Sequence, residues 1–182
     1  MLTIKSACKI VLMCLASFFT LSPAAAAETK DTKTVYGLHE KIFIYELGVQ
    51  LPAKLDTGAT TSSLSARNIR LFDKDGQQWV SFQLAVADAP PVDWQLPVVR
   101  TSRIKRRADD LQDPQQSVYS KRPVVMLNMV MGDQQVTTEA NLTDRSHFDF
   151  PLLLGAGSLE QFQALVDVSK TYLAGEPQAQ TD

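Results

Sequence analysis

Apolar and polar positions alternate with a period of two over much of this chain, which predicts strands. The cleanest case is Trp79–Val86. Val80, Phe82, Leu84 and Val86 fall on one face, with Ser81, Gln83 and Ala85 on the other. Gln134–Thr143 repeats the pattern, with Val136, Ala140 and Leu142 inward against Gln135, Thr137, Glu139 and Asn141. Arg122–Met131 is apolar on both faces and predicts a central strand, with Gly132 and Asp133 as a two-residue hairpin turn.

The remaining segments read the same way. Val35–Gly48 holds the β-branched and aromatic run Ile42–Leu47 and predicts a strand. Val49–Leu55 is a second, feeding Asp56, and Ser62–Ala66 a third, short one. Ile69–Phe72 leads into a hairpin turn ending in Asp75 and Gly76. Ala87–Pro91 interrupts, Val98–Arg107 is extended and basic, and Ala108–Ser117 is a polar loop. Pro151–Gly155 is a short buried strand ending in glycine. Ser158–Gln161 has capping-box spacing and opens the one helix, to about Ala164. Leu165–Val168 is a last strand that Lys170–Leu173 can extend, and residues 175–182 are a disordered tail. Many short strands and one helix describe an all-β domain, a small barrel or sandwich.

The N-terminus has a different rhythm. Lys5 and Lys9 precede the apolar run Ile10–Phe19, and small residues follow to Ala27. This is the layout of a secretory signal peptide, cleaved after Ala27 or Ala26. The run is too short for a confident membrane span, so no stable span is expected after cleavage. The expected organisation is signal peptide 1–27, flexible lead-in 28–33 and one domain over 34–174, in the periplasm or secreted.

Composition narrows the chemistry. Of 182 residues, cleavage leaves about 155, enough for one core. Cys8 and Cys14 leave with the leader, so the mature chain has neither disulfide nor thiol chemistry. The loss of Lys5 and Lys9 moves the formal charge from −2 to −4. Such a domain is not built for non-specific nucleic-acid binding, and no nucleic-acid partner is expected.

The stretch with chemistry in it is Leu51–Leu64. An apolar strand runs into Asp56, Thr57, Gly58, Ala59 and Thr60, then leaves through small polar residues. The turn exposes one carboxylate at the end of a buried strand, and Gly58 lets the backbone approach whatever faces it. A strand-end Asx turn has the same local composition.

The order of features resembles the retropepsin-like aspartic peptidases, in the bacterial branch labelled ATP-dependent zinc protease. It covers Thr34–Leu173, through Leu51–Leu64, the Trp79 strand, Arg103–Arg107, Arg122–Val125, Asn141–Asp144, Leu152–Gly155 and Val166–Leu173. The resemblance implies a small closed or partly open β barrel with one short C-terminal helix. It also implies an endopeptidase in which two Asp carboxylates share a proton and activate water. With one Asp-Thr-Gly per chain, the second carboxylate comes from a homodimer about a two-fold axis. Asp56 is then the catalytic residue and Thr57 braces the two turns. Gly58, Ala59 and Thr60 complete the active-site turn, Leu154 and Gly155 form the structural strand end, and an extended peptide or protein substrate lies between subunits. Two positions depart from the branch, which carries Arg where this chain has Thr60 and Ala156.

Arg103, Lys105 and Arg107 share one side of a predicted strand, with Arg106 opposite. They suit a cleft wall that attracts an acidic peptide or glycan, or a solvated edge strand protected by charge. Asp144 suits a surface role or a salt bridge with Arg145. His39 and His147 are the only histidines, far apart in sequence, and no His-Glu-x-x-His or phosphate-binding Gly-x-x-x-x-Gly-Lys loop occurs. No metal and no cofactor is expected.

Overall fold

The computed structural model describes residues 32–87, 91–105 and 119–178. The signal-peptide expectation and Arg107 lie outside the described residues. The strands are β1 Thr34–Gly37, β2 His39–Ile44, β3 Val49–Asp56, β4 Ser62–Lys74, β5 Gln77–Leu84 and β6 Trp94–Pro97. They continue as β7 Arg100–Lys105, β8 Tyr119–Met131, β9 Gln134–Thr143, β10 Leu152–Gly155 and β11 Ala164–Asp167. The helix α1, Ala156–Gln161, lies between β10 and β11.

Alternation translates directly into burial. In β3, Leu51, Ala53 and Leu55 are buried while Gln50, Pro52 and Lys54 are exposed. Val80, Phe82 and Leu84 of β5 point inward as expected. β8 is paired along both edges, by β9 on one and by β7 and β2 on the other, and it buries apolar side chains on both faces, Val124 and Val130 on one and Val125, Leu127, Met129 and Met131 on the other. The main sheet runs β10-β3-β2-β8-β9-β4-β5-β6, with β7 on β8. β10 also pairs with β4, so hydrogen bonds close a ring through β10, β3, β2, β8, β9 and β4. This is an all-β, retropepsin-like fold with one short helix. No helix among the described residues is long and apolar enough to cross a membrane.

Several local expectations change. Ser62–Ala66 and Ile69–Phe72 belong to one strand, β4, which a register shift between Arg67 and Arg70 bends without breaking. Asn68 takes up the bend at φ 54°, a conformation asparagine tolerates better than most residues. β6 forms on β5 from a segment with no strand pattern of its own. The helix starts at Ala156, and Ser158 is buried inside it, its hydroxyl taken by other elements, so no capping box forms. Asn141, expected outward, is buried because its amide is spent on strand β4.

The tail is also corrected over its first residues. Glu176 accepts hydrogen bonds from Lys41 and Gln50, and the Gln178 N–H reaches the Gly132 carbonyl at 2.6 Å. Upstream, the buried Glu40 carboxylate accepts the backbone N–H groups of Gly37, Leu173 and Ala174 at 2.6, 2.9 and 3.1 Å. One carboxylate thus fastens the returning chain to β2, supplying acceptors that a residue pattern does not reveal.

Candidate active site

Asp56 is the last residue of β3, half-buried where the strand meets solvent. Its Oδ1 accepts the Gly58 N–H at 3.0 Å, and its carbonyl accepts the Ala59 N–H at 3.3 Å. The first bond holds the carboxylate to its own turn, and the second closes the turn's backbone. A Cβ on Gly58 would lie 3.3 Å from Asp56 Oδ1, so the glycine keeps the approach to the carboxylate open. Thr57, Gly58 and Thr60 are exposed.

β10 and α1 brace this turn from the other side. In the parallel register Leu154 pairs with Leu55 and Gly155 with Asp56. The Ala156 N–H then donates to the Ala59 carbonyl at 2.7 Å, and the Gly157 N–H to the Thr60 carbonyl at 3.1 Å. Gly155 has no room for a side chain: a Cβ there would sit 2.8 Å from the Ala59 carbonyl oxygen. Thr60 and Ala156 therefore flank the same turn–helix junction, with their side chains exposed.

Beneath the junction lies a knot of buried hydroxyls. Ser62 Oγ accepts the Gly155 N–H at 3.0 Å and lies 2.5 Å from Ser158 Oγ, which lies 2.8 Å from Thr138 Oγ1. Ser63 donates to Asn141 Oδ1, and the Asn141 amide donates to the Ser62 carbonyl. The serines after Asp56 form a buried polar network spanning β4, β9 and α1. No spacing rule links Ser62 to Ser158, so the sequence carries no signal for it.

A cavity of about 250 Å³ opens beside the turn, lined among others by Thr60, Thr61, Ser158 and Gln161. Arg100 and Glu139 form its charged side. Arg100 Nε and Nη2 both donate to Glu139 Oε2, at 2.8 and 2.5 Å, and Nη2 reaches Thr61 Oγ1 at 3.5 Å. That ion pair holds the Arg100 guanidinium above its ordinary pKa. Arg100, not singled out from the basic run, is thus the cation placed against the turn. Arg103 and Lys105 are exposed on β7, and Arg103 lies over the Tyr119 ring at 4.9 Å rather than beside Asp56.

Arg145 is a second cation near this end of the sheet, and the Asp56 carboxylate acts on it. It is buried, its guanidinium 4.7 Å over the Phe148 ring and its Nε donating to the Phe150 carbonyl at 3.4 Å. Burial pulls its pKa below the ordinary arginine value and Arg122 adds to that, while the Asp56 carboxylate pushes the other way. Asp144 stays on the surface, accepting the Ser146 N–H at 2.8 Å. His39 stacks on Phe150 and His147 lies against Phe148. No three His, Cys, Asp or Glu side chains gather among the described residues.

With this geometry in view, the similarities to other proteins become specific. Residues 35–177 match the model of the RimB-like family, described as retropepsin-like aspartic endopeptidase RimB. A protein named probable alpha-L-glutamate ligase from Shewanella pealeana is 30% identical over 153 residues, covering 80% of this chain and 31% of that protein. One of the same name from Desulfotalea psychrophila is 32% identical over 127 residues, covering 68% and 26%. The chain thus spans less than a third of the length of these curated relatives. A crystal structure of a Legionella pneumophila protein of unknown function superposes with a TM-score of 0.64 at 32% identity, covering 79% of this chain and 99% of that one. From Val35 through Pro177, this chain belongs to the RimB-like family of retropepsin-like aspartic endopeptidases.

Proposed function

We propose that this protein is a secreted or periplasmic aspartic endopeptidase whose catalytic carboxylates are Asp56 and its counterpart in a second copy. The observation that carries this is the seating of Asp56. A half-buried carboxylate at a strand end is held by the Gly58 N–H and backed by Gly155 across the ladder. Two such carboxylates at close range cannot both ionise, so they share a proton. The ionised one takes a proton from water, which attacks the scissile carbonyl, and the protonated one polarises that carbonyl. The proton taken from water is then passed to the scissile nitrogen, and tetrahedral collapse expels it as the amine. Relatives named as glutamate ligases, together with the cations Arg103 and Lys105, favour a glutamate-rich peptide as substrate.

Cleavage of a peptide library by the wild-type chain and not by Asp56→Asn is the expected result. A monomer at all concentrations, with cleavage unchanged by Asp56→Asn, would refute the assignment.

A second reading has its own support. Thr60 and Ala156 leave the rim of the turn uncharged where the branch has two arginines. In that case the domain is an inactive retropepsin-like module that grips a peptide or partner protein. Equal peptide binding by wild type and Asp56→Asn without cleavage would identify it.

A further inference from the structure

Register, followed around the ring of strands, sorts the side chains by face. Asp56 and Lys54 alternate with the buried Leu55, so both point away from the core. Lys54 stands beside Leu153, Leu153 beside Ser63, Ser63 beside Asn141, and Asn141 beside Val124, two residues after Arg122. Partners in a ladder share a face, and so do residues two apart on one strand. One face therefore carries Asp56, Lys54, Ser63, Ser65, Asn141 and Arg122, while Leu55, Leu64 and Leu142 point into the core behind it.

Arg145, in the loop between β9 and β10, is held against that face. Its N–H donates to Ser65 Oγ at 3.1 Å and its carbonyl accepts the Phe148 N–H at 2.8 Å, so its backbone is fixed on both sides. The side chain is fixed too, with Nε on the Phe150 carbonyl and the guanidinium over the Phe148 ring. The charges of Arg122 and Asp56 both act on it. Yet Arg145 has no carboxylate within ion-pair reach among the described residues. Asp144, its neighbour in sequence, turns to Ser146 instead. Arg100, on the same face through its pairing with Val124, is spent on Glu139. Among the described residues Nη1 and Nη2 of Arg145 find no acceptor, and neither is sealed from solvent. A buried stem bearing an unpaired cation is a costly arrangement for a purely structural residue. It suits a group that receives its anion from outside.

We propose that Arg145 is a specificity-determining residue, whose guanidinium binds a carboxylate of the substrate on the face that carries Asp56. The carboxylate belongs to an acidic side chain or to the end of the substrate chain. The planar N–H fork matches two carboxylate oxygens. Arg122 adds charge beside it while donating to Asn141 Oδ1 at 3.3 Å, and an incoming anion relieves the repulsion between the two arginines. Because the loop is fastened before any substrate arrives, little freedom remains to be lost on binding. The inference rests on the proposed peptidase reading only in taking Asp56 as the place of cleavage.

The test reads binding by fluorescence anisotropy on the full chain carrying Asp56→Asn, which separates recognition from cleavage. The probes are fluorescein-labelled (Glu-Thr)4 amide, (Gln-Thr)4 amide and (Gln-Thr)4 with a free C-terminus. A carboxylate is expected to improve affinity over (Gln-Thr)4 amide by at least about tenfold. An advantage for the first peptide assigns the subsite to acidic side chains, an advantage for the third assigns it to a chain end, and either supports the proposal. Arg145→Gln should erase the advantage and leave (Gln-Thr)4 amide binding as before. Arg145→Lys, which keeps the charge without the fork, should reduce the advantage several-fold and serves if Arg145→Gln does not fold. Arg103→Gln, on the exposed side of β7, should keep it. No advantage for either carboxylate, or one that survives at Arg145 and falls with Arg103→Gln, would overturn the proposal. Cleavage by the chain with Asp56 intact separates the two readings. Asp56-dependent cleavage indifferent to Arg145→Gln would remove the subsite alone. Carboxylate-selective binding that Arg145→Gln abolishes, with no cleavage at all, would remove the peptidase alone.

Discussion

Gly155 stands directly opposite Asp56 in the parallel register of β10 and β3. The glycine brings the chain after β10 close enough for the Ala156 and Gly157 N–H groups to reach the carbonyls of Ala59 and Thr60. The position of the carboxylate therefore depends on a residue 99 positions away that never touches its oxygens through a side chain.

Gly155→Ala tests this dependence. Its Cβ would meet the Ala59 carbonyl oxygen at 2.8 Å and the Thr61 carbonyl carbon at 2.8 Å, backbone on both counts. A loss of about 1–3 kcal/mol is expected, seen as a lower melting temperature. Any Asp56-dependent cleavage should fall with it, because the turn must shift to admit the methyl group.

Ser158→Ala removes the centre of the buried hydroxyl knot and leaves Ser62 and Thr138 each short of a partner. The expected cost is about 1–3 kcal/mol, read as a lower denaturant midpoint with an unchanged slope. An unchanged midpoint would mean that water or rotation satisfies both hydroxyls.

Glu40→Gln replaces one of the two acceptor oxygens by an amide that donates. At least one of the Gly37, Leu173 and Ala174 N–H groups then loses its acceptor. A destabilisation of about 1.5–3 kcal/mol is expected. Hydrogen exchange should rise first at Leu173–Gln178, the segment this carboxylate fastens.

Burial raises the Tyr36 phenol above its ordinary value of 10.0, with Asp133 and Glu40 adding to the rise and Thr34 opposing it. A folded pKa above the unfolded one means stability that is complete below pH 10 and is lost as pH climbs through the folded value. Ultraviolet titration should show one tyrosine ionising later than the others, and Tyr36→Phe should flatten the alkaline loss of stability.

If two copies share the catalytic pair, mixing wild type with excess Asp56→Asn draws wild-type chains into hybrids with one functional carboxylate. Cleavage per wild-type chain should then fall several-fold, and specific activity should rise with concentration through the dimerisation range. Activity indifferent to the added variant would place the whole reaction within one chain.

Period-two alternation determined the strands around the site. Leu51, Ala53 and Leu55 alternate with Gln50, Pro52 and Lys54, and that alone predicts a strand delivering Asp56 to its end. Gly76 and Gly132 marked their hairpins because a turn with positive φ demands glycine locally. Tertiary structure decided what surrounds the carboxylate: Gly155 beside Asp56, Ser158 beneath Ser62, and Arg100 rather than Arg103 at the turn. It also made β4 one bent strand, turned Ser158 from a cap into a core group, and tied Glu176 to Lys41. The physical reason is range. A side chain's face follows from the residues next to it, whereas its partner depends on which distant strand the closing ring of hydrogen bonds lays alongside.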